Sequence, residues 1–194
     1  FNGNANDESL NGNDGEVNGA TLVEDRFGDT SKAYSFDGVD DNIIISESRG
    51  FEESRHTLSV WVNITLEREY GDILSKDGES KERQWLIELA STGDQINSAV
   101  FTNKSTNIRI SDELKLRQWH HIVQVWDGDF LYIYVNGDLH GKIETTGIII
   151  EGNQPIRIGG GSAGGSPHFF NGQIDDVRIY NRALSEAEVE KLYE

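Results

Sequence analysis

Short β-rich segments bounded by Gly, Asn and Asp recur along the whole chain, and no helical periodicity falls between them until the last ten residues. The segments are 33–37 (AYSFD), 42–46 (NIIIS), 57–65 (TLSVWVNIT), 72–75, 85–90 (WLIELA), 97–102, 107–111, 120–126, 130–135, 155–158 and 173–180. Without strand–helix alternation a parallel α/β sheet is excluded, and the spacing predicts an all-β, two-sheet antiparallel β-sandwich of jelly-roll type. The dipeptides Asp127-Gly128 and Asn136-Gly137 supply the positive φ of tight hairpin turns, so 119–144 reads as a three-strand meander. At the end, Ser185 and Glu188 have capping-box spacing, with Leu184 and Val189 placed as a hydrophobic staple. SEAEVEKLYE is therefore a short C-terminal helix with Val189 and Leu192 as its apolar contacts. Residues 1–30, rich in Asn, Gly and Asp, read as a wrapped, turn-rich first strand because NGATLV and RFG carry apolar residues between the turns.

A chain of 194 residues is sufficient for one domain, 1–194, with a core that needs no covalent staples. It has no cysteine, which excludes disulfides, thiolate nucleophiles and sulfur metal sites. Its formal charge of −17 repels nucleic acid and anionic membrane surfaces, and no apolar run approaches the roughly 20 residues of a bilayer span. Acidity of this size either keeps an exported surface soluble or supplies hard-cation sites. The abrupt start at Phe1 suggests a domain cut from a longer chain, expected to be a monomeric module tethered to others.

The residues FNGNANDES, NGAT, RFGDTSKAYSFDGVDDNI, TLSVWVN, ILSKDG, WHHIVQVWDG, LYIYVNG, IRIGG and GQIDDVRIYNRALSEAEVEKLY span nearly the whole chain. Taken in order they resemble the laminin-G-like (concanavalin A-like lectin/glucanase) jelly-roll family of bacterial surface and polysaccharide-degrading proteins. The resemblance implies two antiparallel sheets, one concave, often a structural Ca2+, a secreted or cell-surface location, and service as a carbohydrate-binding or adhesion module. An Asp at the start of the last strand, facing the N-terminal segment, holds the cation in related sandwiches. The matching residues are Asp175 and Asp7, and Asp37 of FDGVDD is added because Ca2+ takes hard oxygens from irregular loops. Asp40 and Asp41 are read as turn residues, and all these acids have an alternative use as Asx-turn formers.

GGGSAG (159–164) satisfies both G-x-G-x-x-G and G-x-S-x-G, but each chemistry needs a helix next, and GSPHFFNGQIDDV leads to a strand. The run is a loop. Glycoside hydrolysis needs two carboxylates flanking the bond, and the glucanase pattern places Glu, Asp and Glu in alternation on one strand. WLIELAS offers only Glu88. The adjacent His120 and His121 point to opposite faces of a strand and form no dyad.

Sugar rings stack on aromatics and hold charged side chains by their hydroxyls. Trp61, Trp85 and Trp119 read as structural, whereas Trp126 shares a face with His120, Ile122 and Gln124, and His168 and Phe169 lie on the Gly-rich loop. Period-two alternation sends Leu86 and Glu88 opposite to Trp85, Ile87 and Leu89. The expected ligand face therefore combines 84–90, 107–111 and 120–126, presenting Arg83, Glu88, Arg109, His120, Gln124, Trp126, His168 and Phe169 to solvent. The positive residues in 76–83 and 104–117 either hold an anionic polysaccharide or belong to a mixed-charge surface. The leading function is a non-catalytic glycan-binding module; the rivals are an adhesion domain and a polysaccharide hydrolase or lyase. Two acids or a Tyr/His pair converging on the concave face would favour the enzyme.

Overall fold

A computed structural model describes residues 1–9, 11–46, 55–66, 70–77, 83–104, 106–109, 114–149, 152, 154–160 and 168–194, with 106–109 described by their backbone. In chain order the elements are β1 (Glu16–Asn18), β2 (Thr21–Val23), β3 (Ala33–Asp37), β4 (Asn42–Ile45), β5 (His56–Ile64), β6 (Asp72–Lys76), β7 (Trp85–Leu89), β8 (Ile96–Val100), β9 (Thr106–Arg109), β10 (Trp119–Trp126), β11 (Phe130–Val135), β12 (Asp138–Glu144), β13 (Ile156–Ile158), β14 (Asn171–Tyr180) and α1 (Glu186–Tyr193). They form two seven-stranded sheets, β1-β4-β13-β6-β7-β8-β9 and β12-β11-β10-β5-β14-β3-β2, with every paired strand antiparallel. The predicted sandwich is the observed one. The meander is observed as β10-β11-β12, with Asn136 at φ 52° and Gly137 at 86° in its second turn.

The interior lies between the sheets. Ile43, Trp85, Ile87, Leu89, Ile96 and Val100 enter it from the first sheet, and Leu58, Val60, Val62, Ile122, Trp126 and Ile133 from the second. The outer face of the second sheet is covered by α1, where Val189 and Leu184 pack on Val123, Val125 and Tyr134, with Leu192 partly buried beside them. Burying such aliphatic side chains contributes about 1.5–3 kcal/mol each. The helix starts as predicted, the Ser185 N–H donating to the Glu188 carboxylate at 2.9 Å. Trp61 also lies on this outer face, stacked on His121 at 5.0 Å and Tyr193 at 5.7 Å.

Strand β10 corrects the expected ligand face. It belongs to the second sheet, away from 84–90, and His120, Gln124 and Trp126 are 7%, 0% and 2% exposed. Both faces of β10 are buried, one by the opposite sheet and one by α1, so polarity is a poor guide to which face is wet. The Gln124 amide is satisfied within the sandwich: the Ser98 hydroxyl donates to Gln124 Oε1 at 2.5 Å, and Gln124 Nε2 meets His56 Nε2 at 3.1 Å. His120 Nε2 lies 3.1 Å from the Lys115 carbonyl oxygen.

For the Gln124 amide to donate, His56 Nε2 must accept, and burial lowers the His56 pKa to about 3. Burial, then the charges of Arg178 and Arg26, lowers His121 to about 4. Both folded-state values lie below the unfolded value of 6.5, so on acidification the unfolded chain takes up protons first. Folding stability is expected to fall as pH drops from about 6.5 towards 4, by about 1.4 kcal/mol per pH unit for each such histidine. Urea denaturation at pH 7, 6 and 5 measures this, and H121F should flatten the slope by one histidine's share. A level profile in the wild type would contradict neutral, buried histidines.

Candidate ligand-binding face

The outer face of the first sheet carries the remaining polar set. Cross-strand register aligns Arg157 with Ser75, Ser75 with Leu86 and Leu86 with Ala99; one step along, it aligns Asp72 with Glu88 and Glu88 with Asn97. Directly opposed residues share a face, so these rows lie side by side, opposite the core-facing Trp85, Ile87 and Leu89. Leu86, Ala99 and Phe101 make a separate apolar floor. The Arg83 guanidinium lies 4.2 Å from the Phe101 ring centroid, and its Nε donates to Asp77 Oδ1 at 2.7 Å. Arg157 Nη1 donates to the Asp77 carbonyl oxygen at 3.2 Å; its burial lowers its pKa against the opposing pull of the Asp77 and Asp72 charges.

At the other end of the floor, Asp72, Glu88 and His168 bring potential ligand atoms within 4.8 Å of one another. Asn97 Nδ2 donates to Glu88 Oε1 at 2.6 Å, and the Tyr70 and His168 rings stack at 5.3 Å. His168 and Phe169 are seated by backbone pairing, since the Asp72 N–H donates to the His168 carbonyl at 3.1 Å and Asp72 bridges Phe169. Gly160 allows this approach, because a Cβ there would meet the Phe169 backbone at 2.7 Å. The rest of the Gly-rich run, 161–167, lies outside the described residues.

Of the eight expected ligand residues, Arg83, Glu88 and His168 therefore lie around one surface with Phe169 at its edge, and Arg109 occupies the backbone position opposite Asn97. His120, Gln124 and Trp126 do not join them. The expectation of a fully open face is also corrected: Glu88 is 7% exposed and Leu86 1%. The sequence reading missed Asp72, Asp77, Asn97 and Tyr70. Asp77 could have been found from its place in the sequence, six residues before Arg83. Asp72 could not, because a register shift between Asp72 and Leu74 is what sets it opposite Glu88.

The expected Ca2+ ligands Asp7, Asp37 and Asp175 do not converge. Asp175 is buried and receives Arg26 Nη1 at 3.0 Å; burial pushes its carboxyl upward. Asp7 accepts N–H bonds from Ser9 and Asn13 at 2.8 and 3.0 Å. Burial opposes its ionisation, yet these donors hold the carboxyl below its ordinary range. Asp37 lies with Asp40 and Asp41, which the sequence suggests are turn residues. The Asp37 N–H donates to Asp41 at 2.9 Å, and the Asp37 carboxylate accepts from Val39 at 2.7 Å, so these acids shape their own turn. A cation shared by Asp7, Asp37 and Asp175 does not fit this arrangement. A cavity of about 540 Å³ lies near Asp7, floored by Ile43, Ile45, Ile156 and Ile158. Its acids Asp7, Glu8 and Asp176 are already bonded, Glu8 to Asn2 and Asp176 to Arg26 at 2.9 Å, so the sheet face is the better chemical candidate.

No curated protein sequence matches the chain. Among solved structures, domain 4 of AbnA, an extracellular arabinanase of Geobacillus stearothermophilus in complex with arabinotriose, superposes with TM-score 0.76 at 19% identity, over 98% of this chain and 93% of that one. The binding domain of Paraclostridial Mosquitocidal Protein 1 gives 0.75 at 22% identity, over 97% of this chain and 48% of that one, so this chain spans about half of it. A SAP-like pentraxin from Limulus polyphemus gives 0.63 at 20% identity, over 84% and 81%. At these identities the likeness is one of fold. The model of the concanavalin A-like lectin/glucanases superfamily matches residues 37–190, and the chain belongs to that superfamily.

Proposed function

We propose that this domain is an extracellular glycan-binding module whose ligand lies on the outer face of the first sheet. The observation that carries the reading is the gathering of Asp72, Glu88, Asn97, Tyr70, His168 and Arg83 around the Leu86, Ala99 and Phe101 floor, on the sheet face that α1 leaves uncovered. A pyranose or furanose offers C–H faces to the Tyr70 and His168 rings and hydroxyls to the carboxylates and guanidinium. The ligand is neutral: Arg83 is neutralised by Asp77, while Asp72 and Glu88 repel an anion, as does the charge of −17. The arabinotriose held by domain 4 of the arabinanase supports the same class. Among the described residues no helix is long and apolar enough to cross a membrane.

A hydrolase or lyase reading keeps one specific support, the Asp72 and Glu88 pair beside Tyr70 and His168. These acids lie on adjacent strands of one face and are buried, at 1% and 7% exposure. Glycoside hydrolysis needs the carboxyl groups on either side of the scissile bond, about 5–9.5 Å apart, with the sugar between them. Binding therefore takes precedence over catalysis.

On a glycan array the domain should bind neutral polysaccharides, with little change between 50 and 500 mM salt because no net charge is exchanged. R83A should weaken binding about tenfold or more and Y70A about two- to tenfold, a hydrogen bond to a charged group contributing about 1.5–3 kcal/mol and a stacked ring about 0.5–1.5. L139A, on exposed edge strand β12, should leave affinity unchanged. Binding that survives both face variants would move the site elsewhere, and an array without any neutral ligand would favour adhesion. Incubating each bound glycan with the domain should release no reducing ends and no unsaturated sugars; product formation abolished by E88Q would establish the enzyme instead.

A further inference from the structure

We propose that Asp72, Glu88 and His168 form a binding site for a divalent cation of the Zn2+ type at one end of the face described above. The inference rests on that face but not on its ligand. The three residues come from β6, β7 and the segment entering β14, and their possible ligand atoms all lie within 4.8 Å of one another. A tetrahedral ion with bonds of about 2.0 Å sets its ligand atoms about 3.3 Å apart, a spacing within the 4.8 Å that bounds the cluster.

The local backbone is built to produce this cluster. An uninterrupted ladder continuing from the Leu74 and Ile87 pair would place Ile73 opposite Glu88. The register shift after Asp72 instead brings Asp72 opposite Glu88 while Ile73 and Leu74 both remain in the core. Bulges of this kind re-aim side chains beside functional sites. Here the result is two buried carboxylates directly opposed, with the Arg157 charge acting on Asp72 from the neighbouring strand, and a dication between the two acids would add to that compensation.

Each candidate ligand also has an orienting neighbour. Asn97 holds one Glu88 oxygen, Tyr70 stacks on His168, and the Asp72 main chain is tied to His168 and Phe169. Such surrounding contacts fix ligand direction at metal centres. A separate observation points to a bound species: Asn97 is 8% exposed, and its side-chain Oδ1 is buried without a hydrogen-bond partner. That acceptor belongs to the amide whose nitrogen holds Glu88, and it suits a metal-bound water.

The donor set selects the ion. Ca2+ takes six to eight oxygens, whereas an imidazole with two carboxylates suits Zn2+, which leaves a fourth position for water or a ligand hydroxyl. The His168 side chain is 35% exposed, so the ion is reached from solvent.

The test uses the full chain, stripped with a chelator and titrated calorimetrically with Zn2+, then with Ca2+ and Mg2+, no glycan being present. One equivalent of Zn2+ should bind and raise the melting temperature, and Ca2+ or Mg2+ should bind at least tenfold more weakly. H168A and D72N should each lose at least tenfold in Zn2+ affinity while keeping the far-UV spectrum, and H140A, on exposed strand β12, should not. Absence of stoichiometric Zn2+ binding, or its retention in both H168A and D72N, overturns the site. Zn2+ binding stands or falls by this titration whether or not a glycan binds, and glycan binding stands or falls by the array whether or not Zn2+ does.

Discussion

The inward face of β10 is the constraint on which the rest of the arrangement depends. A sandwich has one interior, and with Ile122, Gln124 and Trp126 inside it the alternate residues His121, Val123 and Val125 must face away. Those residues are too apolar to remain wet, so the chain ends in a helix that covers them. The Ser98, Gln124 and His56 chain of hydrogen bonds spans the two sheets at the same level. It turns an otherwise costly buried amide into a contact that a one-residue slip of either strand would break, since a slip sends the whole set to the other face. Register across the sandwich is thereby fixed by polar as well as apolar groups.

The same constraint decides where function can lie. With Trp85, Ile87 and Leu89 turned inward, Leu86 and Glu88 face outward from the first sheet. The helix is committed to the opposite sheet. The outer face of the first sheet is left to carry side chains chosen for something other than closing the core, and it holds a buried acid pair, a stacked Tyr and His, and an arginine lying over a phenylalanine. Four acids elsewhere have structural employment. Asp175 receives Arg26, Asp77 receives Arg83, and Asp7 and Asp37 accept main-chain N–H groups of their own turns.

Local chemistry made much of the fold legible in the sequence. The Asn136-Gly137 turn, the Ser185 and Glu188 cap and the apolar alternation of β5 and β7 each depend on residues close in the chain. Long-range choices were not legible. His120 and Gln124 look like solvent-facing residues because alternation identifies two faces without saying which is inside, and their burial depends on partners 5 to 68 positions away. The N-terminal acids look like cation ligands because an Asx turn and a Ca2+ loop use the same residue types. The sequence offers Glu88 and His168 as candidates but not Asp72, whose place opposite Glu88 depends on the register of β6 against β7.

That register bears on how the face works. A ladder continued regularly through Ile73 would keep Asp72 away from Glu88. The bulge gives up a ladder position to do the opposite, and it does so where Asp72 is also pinned to the strand-entry segment carrying His168. Asn97, Tyr70 and the bridge to Phe169 then hold the three groups in place before any ligand arrives, which lowers the ordering cost of binding. Charge that is concentrated, buried and pre-positioned in this way has its physical justification in what it attracts: a cation, the hydroxyls of a neutral sugar, or the two together on one ion.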